Sequence, residues 1–479
     1  MPVNERGGRW LMGILLGQKF VEQERITEEQ LAKALERQRR HGGRLGENLV
    51  ALGFAAPDDV DAFFRRTPPP VKSIGETGLN LSFLCDLILK HSLNMVEFSI
   101  PELSSRIKLP PTIIDAAVED LRKEQMAEAK SAGTLSKLTY RFALTDRGRQ
   151  EAGQLMGQCR YAGPAPVTFQ DYRTMVLAQT IKSIVVRDDT VRKAFAHLVI
   201  GEDMLSRVGP AVSSGKSIFL YGPPGNGKTT IAETIGNILP GEIFVPYAVL
   251  VDSEIITLYD PMTHHATGEK GTDQDWDQRW VKVRRPMVMV GGELTLHHLD
   301  LDFNQITKFY EAPFQMKANN GLLIIDDFGR QRVEPQYLIN RLIIPLERRT
   351  DFLTFHTGMK FEIPFDQLVI FSTNLDPKEL VDEAFLRRIR YKIKIDHPTR
   401  EEYSTIFKRM CEANRVEFDQ EALDFLIAYY YERLGISLSA CHPRDLIDNL
   451  VDQAHYAGLP RKLTRETISQ SWESYFVEI

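Results

Sequence analysis

Apolar residues recur along the chain at two spacings, and the spacing changes with position. Near both ends they recur every three or four residues, which is typical of amphipathic helices. In the middle, short unbroken apolar runs such as "SIFLY" and "GLLII" predict buried parallel strands. Proline- and glycine-rich stretches at residues 66–78 and 160–168 interrupt these patterns. We therefore predict a multidomain α and α/β protein with four parts, at residues 1–67, 79–160, 168–396 and 397–479.

The first part contains an internal repeat. The dipeptide Leu16-Gly17 recurs as Leu45-Gly46, and Leu35 recurs as Phe64 at the same offset. Each unit is predicted to be a short helix, a turn and a second helix. Thr27, with Gln30 three residues later, is predicted to cap the second helix of the first unit. We expect the two units to pack on each other, because neither can bury its apolar face alone.

The second part is predicted to contain three helices followed by a β-hairpin. An apolar stripe marks the first helix, "IPELSSRI" the second, and Pro110-Pro111 opens the third, after which "KLTYRFALT" alternates like a strand. This order resembles a winged helix, a module that serves both DNA and protein contacts. The third helix presents Asp115 and Glu119 outward, and these carboxylates would repel the phosphates of a DNA groove. A protein-interaction role is therefore favoured over DNA binding, and both stay open.

The third part carries the strongest chemical signal, the sequence "SIFLYGPPGNGKTT". An apolar strand, a glycine-rich G-x-x-x-x-G-K-T loop and a helix follow one another, which is the context of a phosphate-binding P-loop. Glycines let backbone N–H groups approach phosphates, and the helix N-terminus adds positive potential. Lys228 is expected to reach the β- and γ-phosphates of ATP, and Thr229 to supply a hydroxyl to Mg²⁺. The predicted nucleotide-binding residues are Gly222, Pro223, Pro224, Gly225, Asn226, Gly227, Lys228, Thr229 and Thr230.

Later motifs are weak individually but follow the P-loop in an informative order. "GLLIIDD" is an apolar strand that ends in Asp326 and Asp327, and "LVIFSTN" is another that ends at Asn374. The carboxyl ends of parallel strands meet at one edge of a sheet. We therefore expect Asp326 to join the Mg²⁺ shell and Asn374 to orient the attacking water or contact the γ-phosphate. "AFLRRIRYKI" and "ACHPRDLIDNL" follow and add arginines.

Residues 168–479 resemble an AAA+ ATPase module in the order of these motifs. The resemblance identifies "GPPGNGKTT" as Walker A, "LLIIDD" as Walker B and Asn374 as sensor 1. It implies an α/β core with a helical lid, a homo-oligomeric ring that is usually a hexamer, and ATP bound between subunits. Arg388 or its neighbour Arg387 would be the arginine finger, and Arg444 the sensor 2 residue. "LYDPMTH" and "YLINRLIIPLERRT" look most like the MoxR-like branch of the family.

The Walker B motif departs from the usual Asp-Glu ending of the family, because its second acid is Asp327. Aspartate is one methylene shorter than glutamate but is a competent general base if the water lies close enough. Two alternatives follow: a working ATPase with Asp327 as the catalytic base, or a nucleotide switch with little turnover. The presence of Asn374, the arginine pair and Arg444 favours hydrolysis.

The interval between the two Walker motifs is long. It contains "GTDQDWDQRW", which we expect to be a solvated loop, with a substrate-facing insertion as the alternative. His264-His265 and "HHLDLD" offer metal-capable groups without a ligand spacing, so we expect structural roles for them. The GAFTGA loop of bacterial enhancer-binding AAA+ activators is absent, which argues against a σ-factor remodelling role.

The composition of the chain indicates its cellular compartment and excludes some classes of partner. A net charge of −6 gives no bulk attraction to nucleic acid or anionic lipid, and the four cysteines have no CxxC spacing. The longest early apolar run, "WLMGILLG", is far shorter than the ~20 residues of a membrane span. We expect a cytoplasmic protein with reduced thiols and without membrane insertion.

Residues 10–67 resemble the N-terminal domain of type II secretion and type IV pilus assembly ATPases. Some of these bind cyclic di-GMP through two tandem RLGxxLVxxG motifs, and the second unit here reads "RLGENLVALG". The first unit has Leu15 in place of the arginine and Glu24 in place of the glycine, so a structural or docking role is the alternative. The dinucleotide site implied by the resemblance consists of Arg44, Leu45, Gly46, Leu49, Val50 and Gly53.

Three functions stay open on this basis. The first is a ring-forming ATPase that remodels an unidentified protein client, with residues 1–160 choosing the client or gating activity. The second is a DNA-associated regulator that uses the winged-helix segment. The third is a nucleotide-gated scaffold with little hydrolysis, near a secretion or pilus machine.

Overall fold

The structure is a computed structural model that describes residues 17, 20–21, 26–42, 45–56, 67–131, 140–184, 186–267, 276–380 and 383–476. Arg44, the arginine of the RLGxxLVxxG motif, lies outside the described residues, as do Leu15 and Glu24. Within the described residues, helical parts at both ends flank a central α/β part built on a parallel sheet. The predicted mixture of α and α/β structure is therefore confirmed.

The first helices come from the repeat. They are α1 (Glu28–His41) and α2 (Leu45–Ala51). Thr27 caps α1 as predicted: its hydroxyl accepts the backbone N–H of Gln30, and the Gln30 side chain accepts the N–H of Thr27. A Cβ on Gly17 would lie 2.4 Å from Leu31 Cδ1 and 3.3 Å from Leu45 Cδ2, so the two units pack closely. The buried core that joins them contains Phe20, Ile26, Ala34, Leu45 and Leu49.

The second part contains the predicted order of elements with two additions. Its elements are α3 (Ile74–Thr77), α4 (Leu81–Ser92), α5 (Ile100–Ile107), α6 (Pro111–Lys123), β1 (Ala127–Ser131), β2 (Arg141–Leu144) and α7 (Asp146–Gln158). Asn80 caps α4 and Ser99 caps α5, while β1 and β2 pair antiparallel. Helices α3 and α7 were not predicted, and the assignment to the winged-helix family stays a prediction. The face of α6 that was expected to point inward is buried, at Ile113, Ile114, Ala117, Val118 and Leu121.

The proline- and glycine-rich stretches are packed where the structure describes them. Val71 and Thr77 are buried in the first stretch, and Ala165 in the second. The backbone N–H of Arg160 donates to the Thr307 carbonyl at 2.8 Å, which ties the second stretch to the central part. These stretches therefore end helices but do not act as free spacers.

The central part extends from β3 to β16. In chain order these elements are β3 (Val167–Thr168), α8 (Phe169–Ala178), α9 (Asp188–Phe195), α10 (Glu202–Ser213), β4 (Ile218–Tyr221), α11 (Lys228–Ile238), β5 (Glu242–Pro246), β6 (Ala248–Val251), β7 (Glu254–Thr257), β8 (Trp280–Arg284), β9 (Met287–Val290), β10 (Asp302–Asn304), β11 (Phe309–Glu311), α12 (Phe314–Lys317), β12 (Leu322–Ile325), α13 (Pro335–Arg348), β13 (Thr350–Thr354), β14 (Lys360–Pro364), β15 (Leu368–Thr373), α14 (Pro377–Leu380), α15 (Glu383–Arg388) and β16 (Tyr391–Lys394). Short 3₁₀ turns lie at Ile181–Ser183 and Leu296–Leu299.

A five-stranded parallel sheet forms the core of this part, in the order β16-β4-β15-β12-β9. The apolar runs "SIFLY", "GLLII" and "LVIFST" fold as β4, β12 and β15, as predicted. Ile325 of β12 lies opposite Phe371 of β15, and Phe371 lies opposite Phe219 of β4. Because all five strands run in the same direction, the residues that follow these three strands meet at one edge of the sheet.

The interval between the Walker motifs folds onto the second part of the chain. It supplies most of a mixed sheet, β10-β11-β7-β6-β3, and the antiparallel pair β5-β8. The expectation of a solvated loop at "GTDQDWDQRW" is wrong for its described end, where Asp277 is 4% and Arg279 is 2% exposed. Arg279 donates to both carboxylate oxygens of Asp277 and to the carbonyls of Thr77, at 2.9 Å, and Pro166, at 3.0 Å. These bonds satisfy a guanidinium that burial would otherwise destabilise, and they join the insertion to α3.

Helices close the described chain, as predicted for the last part. They are α16 (Arg400–Asn414), α17 (Gln420–Phe425), α18 (His442–Ala457) and α19 (Arg465–Tyr475), with π-helical turns at Leu426–Glu432. Their core is aromatic, and the hydroxyls of the buried Tyr403 and Tyr431 lie 2.8 Å apart. Among the described residues, every helix is too short or too polar to cross a lipid bilayer.

Candidate nucleotide-binding site

The loop between β4 and α11 has the backbone geometry that the P-loop motif requires. Gly222 has a φ of +141°, and a Cβ there would lie 2.0 Å from the Ile395 carbonyl oxygen, so no other residue fits. Gly227 has a φ of +78° and immediately precedes α11. The loop therefore turns tightly and delivers Lys228 and Thr229 at the first turn of a helix, where backbone N–H groups have no partner within the helix.

Lys228 lies under this loop. It is 8% exposed, and its Nζ donates to the carbonyl oxygens of Gly222 at 2.9 Å and Pro223 at 2.8 Å. Burial lowers the pKa of Lys228, while the charges of Asp326 and Asp327 act in the opposite direction. The two acids of the predicted Walker B motif are thus close enough to the lysine to act on its charge.

Thr229 and Asp326 are in direct contact. The Thr229 hydroxyl donates to Asp326 Oδ2 at 2.7 Å, across the sheet from one strand end to another. The two side chains offer hard oxygen donors, which suit Mg²⁺, and Mg²⁺ commonly takes one or two protein oxygens together with water and phosphate. Among the described residues no group of three or more His, Cys, Asp or Glu could hold a metal by itself. The donor set therefore fits an ion that is shared with a phosphate ligand.

Asp327, the proposed base, lies in an unusual backbone conformation. Its φ is +46°, in the left-handed region that is uncommon for residues other than glycine, and its backbone N–H donates to Asp326 Oδ1 at 3.0 Å. Gln331 holds the carbonyls on either side of this bend: its Nε2 donates to Asp326 O at 3.0 Å and to Asp327 O at 3.2 Å, and its Oε1 accepts the Gly329 N–H at 2.8 Å. The exposed Asp327 carboxylate accepts no hydrogen bond from the described residues, so it is accessible to water.

Asn374 follows β15 and is held by Arg330. The guanidinium Nε of Arg330 donates to Asn374 Oδ1 at 3.2 Å. Because the amide oxygen is used in this way, the amide nitrogen is left to donate to a ligand or a water molecule. Sequence reasoning missed both Arg330 and Gln331, although both lie within four residues of Asp327.

The two candidate finger arginines lie on α15, whose Phe385 packs against Phe371 of β15. Arg388 forms an ion pair with Glu347 of α13 within the same chain. Arg387 is exposed. The structure therefore leaves Arg387 exposed and Arg388 half-buried against α13.

The last part of the chain contacts the P-loop through the segment before α18. Asn226 Oδ1 accepts the backbone N–H of Ala440 at 3.1 Å, and the Gly225 carbonyl accepts the N–H of Cys441 at 2.8 Å. Arg444, the predicted sensor 2 residue, lies in the first turn of α18, where its side chain is 64% exposed and pairs with Asp445. Sequence reasoning identified the arginine but missed the backbone contacts that bring its helix to the nucleotide loop.

The residues implied for cyclic di-GMP have packing roles where they are described. Leu45, Gly46 and Leu49 are buried in the core of the repeat, and Val50 is partly buried. Gly53 has a φ of +68° just after α2, a conformation that by itself favours glycine there. A Cβ on Gly53 would meet no atom within 4 Å, so the described structure does not use this glycine for a close approach.

Comparison with known proteins gives partial matches. The model of a family described as a domain of unknown function, DUF8689, matches residues 399–474, which include α16 to α19. No curated protein matches the sequence. A RuvB mutant from Thermotoga maritima is 13% identical over 63% of this chain and 74% of its own, with a TM-score of 0.33. NtrX from Brucella abortus in complex with ADP is 12% identical over 66% of this chain and 59% of its own, with a TM-score of 0.37. These TM-scores are too low for residues or activities to be transferred.

Proposed function

We propose that the chain is an ATPase of the AAA+ family. The observation that carries the proposal is the 2.7 Å contact between the Thr229 hydroxyl and the Asp326 carboxylate. It joins the predicted Walker A and Walker B motifs, which lie on strands separated by β15. The parallel order β16-β4-β15-β12-β9 supports the proposal further, because it places Asn374 between the two motifs at the same edge of the sheet.

Each group at this edge of the sheet would have its own role in phosphoryl transfer. Backbone N–H groups of the loop and of the first turn of α11 would bind the phosphates, and Lys228 would turn from the loop carbonyls toward them. Thr229 and Asp326 would hold Mg²⁺, which when bound neutralises charge on the phosphates. Asp327 would accept the proton of the attacking water, and the Asn374 amide would orient that water or the γ-phosphate.

Steady-state turnover tests this assignment. Lys228→Ala should weaken ATP binding and abolish turnover, whereas Asp327→Asn should bind ATP and lose turnover. If Asp327→Asn still hydrolyses ATP at the rate of the unmodified chain, another residue is the base. If the unmodified chain binds ATP tightly but shows no turnover, the nucleotide-gated scaffold is the better description.

We also propose that the chain assembles into a homo-oligomeric ring, for which the AAA+ resemblance implies a hexamer. In this ring an arginine of one subunit would complete the nucleotide site of the next. Arg388 and Arg387 are the candidates, and the exposure of Arg387 on α15 supports the proposal. Such a group stabilises charge on the transferred phosphoryl and is worth roughly a thousandfold or more in rate. Turnover per subunit should then rise with protein concentration and collapse in Arg388→Ala or Arg387→Ala. Turnover that is independent of concentration would contradict the shared site.

We further propose that the activity remodels a protein client in the cytoplasm and that residues 1–160 select the client or regulate the motor. Asp115 and Glu119 of α6 are half-buried, and Glu119 pairs with Arg122, so the preference for protein over DNA depends mainly on the carboxylate of Asp115. A steep loss of duplex DNA affinity with salt would favour the alternative. A client could be captured on an Asp327→Asn chain locked in the ATP-bound state. Regulation by cyclic di-GMP is tested by Arg44→Ala, which should abolish dinucleotide binding and leave ATP binding intact.

A further inference from the structure

Four basic side chains gather at the amino-terminal edge of the parallel sheet, opposite the edge that carries the P-loop. Lys216 precedes β4 and Arg390 precedes β16, and these strands are neighbours with Ile218 opposite Tyr391. Arg349 directly follows α13, and Lys182 lies in the 3₁₀ turn Ile181–Ser183. We refer to Lys182, Lys216, Arg349 and Arg390 as the basic cluster.

Three members of the cluster meet at Gly215, and Arg390 acts on the charge of Lys216 from the neighbouring strand. Arg349 is fixed there by two backbone carbonyls, since its Nη1 donates to Gln367 O at 2.8 Å and its Nη2 donates to Gly215 O. Lys182 lies against the same glycine, because a Cβ added to Gly215 would be 3.8 Å from Lys182 Cγ. Lys216 is the next residue in the chain. The carbonyl oxygens orient the Arg349 guanidinium but do not neutralise its charge. The positive charges of Arg349, Lys182 and Lys216 therefore reinforce one another near Gly215.

The carboxylate that faces the cluster is already occupied. Asp366 Oδ1 accepts the Thr180 hydroxyl at 2.8 Å, and Oδ2 accepts the Ile181 N–H at 3.0 Å and the Asn320 amide at 2.8 Å. In the part of the chain that the structure describes, no carboxylate lies within ion-pair distance of any member of the cluster. Asp366 acts on the charges of Lys182 and Arg349, and its oxygens are committed to other donors.

The titration behaviour of the cluster agrees with this shortage of negative charge. Burial, together with the charges of Arg390 and Arg349, lowers the pKa of Lys216. Burial also lowers the pKa of Arg349, and Asp366 opposes this effect. Like charges held at a partly buried edge repel one another, and a bound anion removes that repulsion.

We propose that the basic cluster is a second anion site, which binds the phosphate or polyphosphate group of a small molecule. A single carboxylate would leave most of the positive charge uncompensated, whereas phosphate groups carry more charge and suit both arginine and lysine. Arg349, Lys182 and Lys216 meet at one glycine, which fits one compact ligand better than a nucleic acid backbone. An extended strand rises ~3.3 Å per residue, so the site lies about 20 Å from the P-loop on the same strand.

Calorimetric titration with inorganic pyrophosphate tests the proposal on the full chain. The titration uses Lys228→Ala, so that binding in the P-loop is weakened equally in every sample. Adding Lys216→Gln and Arg390→Gln should lower the pyrophosphate affinity at least tenfold. Lys392→Gln is the matched control, because it neutralises a cation of β16 whose Nζ donates to the Ile389 carbonyl at 2.8 Å. This control should keep the affinity of its parent.

A second measurement guards against misfolding of the variants. At low ionic strength Lys216→Gln should raise the midpoint of thermal unfolding, since it removes repulsion, and added salt should erase the gain. Pyrophosphate affinity that is equal in the cluster variant and the Lys392→Gln control overturns the proposal. So does duplex DNA that binds through these four cations with a steep salt dependence while pyrophosphate does not bind. ATP turnover of Lys216→Gln/Arg390→Gln, with Lys228 intact, should be unchanged, so this test and that of the ATPase can fail separately.

Discussion

Gln331→Ala should slow ATP hydrolysis without weakening ATP binding. The Gln331 side chain makes hydrogen bonds of 3.0 and 3.2 Å to the carbonyls of Asp326 and Asp327, and one of 2.8 Å from the N–H of Gly329. These bonds hold the bend in which Asp327 has a φ of +46°. A left-handed conformation costs an L-residue roughly 1–2 kcal/mol, so Asp327 should leave it when the bonds are lost.

The size of the effect follows from these contacts. Hydrogen bonds of this type contribute about 0.5–1.5 kcal/mol each, and water replaces part of the loss at an exposed loop. We take about 2 kcal/mol as the free energy by which the active position of Asp327 becomes less favoured, which corresponds to a fall of roughly 30-fold in kcat. The KM for ATP should change less than about twofold, because a group that acts mainly in the transition state leaves ground-state binding intact.

A phosphate-release assay over a range of ATP concentrations separates the two constants. Gln336→Ala makes the same substitution at an exposed position of α13 and should leave both constants unchanged. Gln331→Glu keeps the acceptor for Gly329 and loses the donors to the two carbonyls, so its kcat should also fall. A Gln331→Ala chain that retains the unmodified kcat refutes the reasoning. So does one in which KM rises as much as kcat falls, since that would indicate general loss of the site.

Three further predictions concern other contacts. Arg330→Ala should lower kcat about tenfold with little change in KM, because it removes the donor that holds the Asn374 amide at 3.2 Å. Arg279→Met should lower the free energy of unfolding in urea by about 3–5 kcal/mol, because it leaves the buried Asp277 without its cation. Burial lowers the pKa of His264 to about 4, so this imidazole binds a proton near pH 6.5 in the unfolded chain but stays neutral in the folded chain at that pH. The contribution of His264 to the free energy of unfolding should therefore be complete above pH 6.5, and the free energy should fall by about 3 kcal/mol between pH 6.5 and pH 4. His264→Gln should remove most of this dependence.

Neighbouring residues provide the controls for these variants. Arg332→Ala, Arg284→Met and His265→Gln change exposed side chains close to Arg330, Arg279 and His264. Each should leave turnover, urea stability or the acid profile as it is in the unmodified chain. An effect of the control as large as that of its partner would assign the change to the segment and not to the contact.

The elements of the central sheet could be predicted because their sequence signals are local. An unbroken apolar run bounded by Gly222 predicts β4, and its end agrees with the structure because the loop turns at that glycine. The Thr27 cap was predictable for the same reason, since its partner Gln30 is three residues away. The burial of Asp277 and Arg279 was not predictable, because the groups that stabilise Arg279 include the carbonyls of Thr77 and Pro166, far away in sequence. A run of charged residues looks solvated until the fold supplies such partners.

The residues of the candidate site also separate into those that could be predicted from the sequence and those that could not. Lys228, Thr229 and Asp326 could be named because the chemistry of phosphate and Mg²⁺ restricts the residue types that can serve. Gln331 and Arg330 serve the site by binding its own backbone and amide groups, and many polar residues could do so from many positions. Their role depends on the bend at Asp327, which no local rule predicts for an aspartate after an apolar strand. Residues proposed to contact the ligand are thus limited in type by its chemistry, whereas the residues that position them are limited only by geometry, which depends on the fold.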